Sequence, residues 1–290
     1  MKEFVIVTDT TTDLPREYVE KHHLYMMSLP YTLEGTSYTW ENPMPDKEFY
    51  DKMRAGSLPT TSQANPEEAA TLYESILKEN DVDILHIAFS SGLSGSFNSC
   101  RIAAADVCEK YPDRRIVVVD SLAATLGQGL LVYKAVQLKE AEKNLDEIAA
   151  WLEENKYHLV HNFTVDDLFH LHRGGRLSKT AAIVGTMINL KPVLHVDDEG
   201  HLVMLSKVRG RKKSLIGLVD CMEKQLGDWK DKHDIIFISH GNCPEDAPSV
   251  AELIKERFGY ENFMIGYIGA TIGAHSGPGT VALFYMGDHR

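Results

Sequence analysis

The stretch Ile84-Leu85-His86-Ile87-Ala88-Phe89 runs without interruption into Ser90-Ser91-Gly92-Leu93-Ser94-Gly95-Ser96. A continuous, largely apolar run of this length reads as a strand covered on both faces, as in a parallel sheet. The hydroxyl- and glycine-rich segment behind it reads as a tight loop, and a helical pattern follows. Ile116-Val117-Val118-Val119 repeats the signature, again with a helical pattern behind it. Phe4-Val5-Ile6-Val7 opens the chain as a shorter strand and ends in the capping turn Thr8-Asp9-Thr10-Thr11-Thr12-Asp13. Such alternation specifies βαβ units, so a parallel sheet with helices on both faces is expected up to about residue 155.

Between these strands the expected elements are a helix over residues 15–22, an extended stretch over 24–33 and a helix over 46–54 stopped at Gly56. Asn65-Pro66-Glu67-Glu68 starts another helix: a capping Asn, Pro in the first turn, then acids at the positive end of the dipole. Beyond residue 155 the pattern changes. Helices are expected over 165–172, ended by Gly174-Gly175, and over 178–190. Asp197-Asp198-Glu199-Gly200 separates two alternating runs and predicts a β-hairpin. A helix over 213–225, a strand over 235–239, a helix over 249–258 and strands over 263–268 and 281–286 follow. Hairpins mixed with crossovers imply a mixed sheet. The expected fold class is therefore α/β in two domains: residues 1–155, a parallel-sheet α/β/α domain, and residues 156–290, a mixed-sheet α/β domain.

The 290 residues carry 30 Lys and Arg against 42 Asp and Glu, a net charge of −12 that repels nucleic-acid backbones and anionic lipid surfaces. No apolar run reaches the roughly 20 residues needed to span a bilayer, and no leader pattern opens the chain. Cys100, Cys108, Cys221 and Cys243 form no CxxC pair, which reads as reduced thiols in a cytoplasmic protein. Neither nucleic acid nor stable membrane insertion is expected.

Four polar loops sit at expected strand ends, where open α/β sheets place ligands: residues 9–13, 59–65, 90–96 and 273–280. Hydroxyls and backbone N–H groups at helix starts make an anion site without basic side chains. Each hydroxyl alone is equally at home as a cap or turn residue. Catalytic motifs fail on inspection. There is no GxxxxGK[ST] phosphate loop and no GxGxxG after the first strand. Gly92-Leu93-Ser94-Gly95-Ser96 departs from the GxSxG elbow at its last position, which leaves a serine hydrolase as the alternative. His170 and His172, two apart, share no helix face and read as surface residues, whereas His240 and His275 adjoin glycines near strand ends. Arg173 and Arg211 read as solvated charge, while glycine turns beside Arg176 and Arg209 can aim those two into a cleft.

These segments, in this order and over the whole chain, resemble the DegV family, bacterial fatty-acid-binding proteins that supply acyl chains to fatty acid kinase. The resemblance rests on Thr8-Asp9-Thr10-Thr11-Thr12-Asp13-Leu14-Pro15, Pro59-Thr60-Thr61-Ser62-Gln63 and the Ser90–Ser96 loop. Gly174-Gly175-Arg176-Leu177-Ser178 and His275-Ser276-Gly277-Pro278-Gly279 complete it. It implies a long-chain, palmitate-like fatty acid in a cleft between the domains. Thr61 and Ser94 would hold the carboxylate, with Ser62, the Gly95 N–H and His275 as neighbours, and Arg176 and Arg209 near the head group or a partner. It further implies no catalytic residue, metal or cofactor, and a separate ATP-binding kinase that makes an acyl phosphate for phospholipid synthesis. With an ordinary pKa near 6.5, His275 would switch charge around neutral pH. The chain departs from the family pattern at Ala64 and at Ser96-Phe97, positions that bear on the pocket wall. The competing class is an enzyme, a serine esterase or a dihydroxyacetone-kinase-like protein using the Ser94 loop.

Overall fold

The computed structural model describes residues 2–177 and 190–290. In chain order the first half forms β1 (Phe4–Asp9), α1 (Arg16–Lys21), β2 (Tyr25–Met27), β3 (Tyr31–Leu33), β4 (Thr36–Tyr38) and α2 (Asp46–Arg54). It continues with β5 (Thr60–Thr61), α3 (Pro66–Glu79), β6 (Asp83–Ala88), α4 (Ser96–Lys110), β7 (Ile116–Asp120), α5 (Thr125–Glu140) and α6 (Leu145–Asn155). The second half forms β8 (Leu159–Thr164), α7 (Phe169–Arg173), β9 (Leu190–Val196), β10 (Leu202–Arg209) and α8 (Arg211–Gln225). β11 (Ile236–His240), α9 (Asp246–Phe258), β12 (Phe263–Tyr267), α10 (Ala270–Ser276) and β13 (Val281–Met286) complete it.

The expected parallel sheet is present, with strand order β2-β1-β6-β7 and every residue of β6 buried. The second sheet is mixed, in the order β10-β9-β8-β13-β11-β12, with β11 and β12 its parallel pair. The chain is thus an α/β protein of two parts, the first built on a parallel sheet and the second on a mixed one. The hairpin of β9 and β10 forms around the Asp197–Gly200 turn, where the Asp197 carboxylate accepts the N–H groups of Glu199 and His201.

The expectations for 24–33, 165–172 and 273–280 are corrected. The extended stretch over 24–33 divides at Ser28-Leu29-Pro30: β2 joins the parallel sheet, while β3 begins a small antiparallel sheet ordered β4-β3-β5. Ser28 accepts the Trp40 N–H and Thr10 accepts that of Leu29, so the break is pinned by side chains. The helix expected over 165–172 starts only at Phe169; residues 165–168 form a turn, and β8 precedes it, ending at Thr164. His161 and Asn162 disguise this strand, although all six of its residues are buried. The helix expected over 178–190 falls on residues 178–189, outside the described residues, except Leu190, which belongs to β9. Within the polar loop of 273–280, residues up to Ser276 are helical, in α10.

The central element is α5. Its residues from Thr125 to Val132 are all buried, and it packs against β6 on one side and β8, β11 and β13 on the other. A helix apolar on every side belongs inside a protein, not on its surface. One apolar cluster accordingly runs from Leu85 and Ile87 through Leu126 and Leu130 to Phe163, Phe237 and Phe284. Gly129 lets α5 approach the chain at Thr12 and Leu14, since a Cβ there would fall 2.9 Å from the Thr12 carbonyl oxygen. Arg290 closes the structure from the far end: it donates to the carbonyls of Lys156, Leu122 and Asp197 from a buried position.

Candidate functional site

A cavity of about 310 Å³, in the size range of small-molecule sites, lies where the two parts meet. Most of its wall is apolar: Phe89, Leu93 and Ala124 from the first part, Phe163, Val196, Leu202 and Phe284 from the second, with Ile268 and Ile272 beside them. The polar lining is concentrated in a few segments, among them Thr61, Ser62, Gln63, Ser94, Arg176 and His275.

Each polar side chain is placed by a recognisable local device. Thr61 sits on β5, whose pairing with Tyr31 of β3 fixes its direction. Two residues past Gln63, Asn65 caps α3 as the sequence foretold, and a reciprocal Asn65–Glu68 box completes the start. Ser94 lies on the turn into α4, which Gly95 caps, so the positive end of a 15-residue helix faces the site. Glycine at 95 leaves room for the Gln63 amide, which a side chain there would displace. His275 lies in the last turn of α10.

The hydroxyls are poised as donors. Ser96 Oγ accepts the Ala64 N–H at 3.1 Å and lies 2.9 Å from Ser94 Oγ, which also accepts the Ser96 N–H at 3.2 Å. When Ser96 is the donor in the hydroxyl pair, Ser94 has its own proton to give to an anion. Thr61 Oγ1 lies 2.8 Å from His275 Nε2. When Nε2 carries the imidazole proton and donates it, the Thr61 hydroxyl is likewise released toward a ligand. Burial first, then the charges of Arg176 and Arg173, lower the His275 pKa to about 4. This corrects the expectation of a switch near neutrality: His275 is neutral at pH 7, a fixed donor-acceptor and not a charge sensor.

The arginines divide. Arg176 lines the cavity and donates from Nε to the Leu93 carbonyl at 3.0 Å, tying it to the Ser94 loop. Burial holds its pKa below the usual guanidinium value. Arg173, read from sequence as solvated charge, bridges the Pro59 carbonyl at 2.9 Å and the Ala274 carbonyl at 3.1 Å. It clamps the loop carrying Thr61 to the helix carrying His275. Arg209 stands apart, exposed at the end of β10 and outside the cavity wall. His240 is also elsewhere, buried at the end of β11 with its ring 4.5 Å from that of Tyr267. His170 and His172 are half-buried.

Behind the site, Asp9 organises the β6–α4 loop. Its carboxylate accepts the Phe89 N–H at 2.5 Å and the Gln128 amide at 3.2 Å, and pairs with His86 Nε2 at 3.0 Å. His86 Nδ1 lies 2.6 Å from the Tyr73 hydroxyl. Burial lowers the His86 pKa, but Cys100 and Asp9 outweigh it and leave a net rise. Asp9, His86 and Cys100 are the one trio of potential metal ligands among the described residues. The donor set fits an internal ion pair better than a metal, because Asp9 and both His86 nitrogens already serve protein partners.

The family model described as "Uncharacterised protein, DegV family" matches residues 3–288. A DegV domain-containing protein of Clostridium perfringens (strain 13 / Type A) is 45% identical over 292 residues, covering 100% of this chain and 99% of that one. Among solved structures, a DegV family protein from Thermus thermophilus, described by its fatty acid binding, superposes with a TM-score of 0.86 at 31% identity, over 99% of this chain and 100% of that one. DegV from Bacillus subtilis, described as a fatty acid binding protein, gives 0.85 at 31% identity, over 99% and 100%. Both match across the parallel and the mixed sheet alike. Matched in sequence and fold along almost its whole length, the chain belongs to the DegV family.

Proposed function

We propose that this protein is a fatty-acid carrier. A long acyl chain occupies the apolar cavity, and its carboxylate accepts protons from Thr61 and Ser94, with Ser62, the Gly95 N–H and His275 around it. The observation that carries this reading is the pair of hydroxyls, Thr61 and Ser94, bordering a cavity whose exposed wall is mostly apolar. The relatives described as fatty-acid-binding support it. Burying a palmitate-length tail removes about 14 methylenes from water at roughly 0.8 kcal/mol each, about 11 kcal/mol before the costs of association. Hydrogen bonds to the carboxylate add only about 1.5–3 kcal/mol apiece. The tail supplies affinity, and the head site supplies orientation.

An orienting head site suits delivery. The carrier presents its carboxylate to a separate ATP-binding kinase, which forms the acyl phosphate that feeds phospholipid synthesis in the cytoplasm. Arg176 and the exposed Arg209 are contacts for the head group and the kinase respectively. The protein itself is then not an enzyme. The hydrolase alternative loses support because Ser94 Oγ is bonded to Ser96 and His275 Nε2 to Thr61, so no serine–imidazole bond joins them. The direct test is mass spectrometry of organic extracts from purified protein, with long-chain fatty acid expected at near-stoichiometric amounts. Protein that purifies empty and shows no thermal shift with any long-chain acid would sink the carrier reading. Ester turnover abolished by Ser94→Ala would promote the hydrolase instead.

A further inference from the structure

A second cavity, of about 550 Å³ and again in the size range of small-molecule sites, backs onto the first. Leu29 and Thr271 line both, and the Thr271 hydroxyl donates to the Leu29 carbonyl at 2.7 Å, so the partition is one residue thick. The two differ in chemistry. The first is walled by aliphatic side chains with Phe163, Phe284 and His161, whereas the second presents Tyr31, Tyr38, Trp40 and Tyr267. Tyr31 and Tyr38 stack across the β3–β4 pair, with centroids 5.1 Å apart, and the Tyr31 hydroxyl accepts the Met44 N–H at 3.0 Å. Tyr267, at the end of β12, stacks on the buried Tyr50. Tyr38, Trp40 and Tyr267 are each half-buried, so the fold holds them in place and leaves part of each open to a ligand.

One carboxylate joins these rings on the cavity wall. Asp46, the first residue of α2, is half-buried and makes no hydrogen bond or ion pair with any described residue. Burial alone raises its pKa, to about 6, so it is ionised at pH 7. Asp13, on the same wall, is kept protonated by burial and adds no charge. Among the described residues the one basic side chain on this wall is the exposed Arg16, and it is engaged: its guanidinium lies 4.1 Å from the centre of the Trp40 ring and donates to the Trp40 carbonyl at 2.7 Å. Trp40 thus already takes a cation on its face, while Asp46 lacks one. Aromatic faces attract cations, best of all those with bulky organic substituents. A hard metal ion would need six or more oxygen ligands, which one carboxylate among rings does not supply. We propose that this cavity binds a small organic ammonium ion, its charge answered by Asp46 and its substituents enclosed by Tyr38, Trp40 and Tyr267. The proposal goes beyond the carrier reading and does not depend on it.

The test is calorimetric titration of the full chain with choline and with the uncharged alcohol in which carbon replaces the choline nitrogen. Choline should bind one to one, about tenfold tighter than the alcohol, and should perturb tryptophan fluorescence through Trp40. Asp46→Asn should weaken choline by about tenfold and leave the alcohol nearly unchanged, since only the charge is lost. Trp40→Leu should weaken choline by a similar factor, while Trp40→Phe, which keeps a ring, should retain most of the affinity and covers failure of the leucine variant to fold. Equal affinity for choline and the alcohol, no binding of choline, or native affinity in a folded Asp46→Asn protein overturns the assignment. So does displacement of choline by palmitate, which would place the ammonium ion in the first cavity.

Discussion

Ser96 touches no cavity volume, yet it governs the residue that does. Its hydroxyl accepts the Ala64 N–H and shares one hydrogen bond with Ser94, so the direction of the Ser94 proton depends on it. Ser94→Ala or Thr61→Ala should weaken fatty-acid binding by at most about two orders of magnitude, the worth of one charge-assisted bond. Ser96→Ala should weaken it less, by about tenfold, and Ser96→Thr should restore it. Acyl-phosphate formation with the kinase should fall further than binding in all three alanine variants, because small misplacements of a reacting group cost rate steeply. Displacement of a fluorescent acyl probe, run beside the kinase assay, checks both numbers; equal proportional losses would show that these residues bind without orienting. The loops that carry Thr61, Ser94 and His275 were legible in the sequence as hydroxyl- and glycine-rich strand ends, whereas Thr61 and Ser94 as carboxylate ligands followed only from the family resemblance. Arg173 was not legible: its role lies in two backbone carbonyls distant in the chain, which no local pattern records. His161 was hidden for the opposite reason, a polar residue inside a strand that the apolar pattern never announced.

Among the elements, α5 shows where pattern reading stops. Its helical character was visible, but its position between two sheets was not, because the features that fit it there are glycines selected by neighbours far away in the chain. Gly127→Ala makes the point testable. Alanine adds about 1 kcal/mol of intrinsic helix stability over glycine. Here the added methyl must displace His161 and crowd Phe284, whose Cδ1 would be 2.8 Å away. Overpacking of this kind costs about 1–3 kcal/mol, so the net effect should be destabilising and fatty-acid affinity should fall as the ring shifts. Urea unfolding and acid titration of the variant measure the two effects; a stabilised variant with native affinity would contradict the packing described for α5. The strands were read most reliably where both faces are covered, as in β6 and β13. The division of 24–33 escaped because side-chain bonds from Thr10 and Ser28, not periodicity, decide it.

For the molecule as a whole, buried titratable groups set a pH window. His161, His170, His195, His233, His240 and His275 all have pKa values lowered by burial. The unfolded chain binds protons at these sites below about pH 6.5 while the folded chain resists, so stability falls as the pH drops from there toward the folded values, about 4 for His275. Asp13 acts in the other direction. Burial raises its pKa to about 8, so folded protein keeps a proton that unfolded protein loses, and stability falls as the pH rises from about 4 to 8. Asp13 also holds a left-handed backbone, φ 53°, which Asn tolerates. Asp13→Asn should therefore raise the melting temperature at pH 8 and change it little at pH 4.5. Melting curves across that range decide; an equal shift at both ends would mean that the carboxyl is not protonated in the fold.

The burial of α5 on both sides also governs traffic. Two lobes joined by a hinge can swing apart to load a cargo, but here each sheet is glued to the same helix, and parting them would strip apolar surface at roughly 25 cal/mol per Å². On the carrier reading, a long tail instead threads past the rim, where α7, α10 and the small three-stranded sheet meet and Arg173 ties the Pro59 loop to α10 with two hydrogen bonds. The bolt on that container is a single guanidinium.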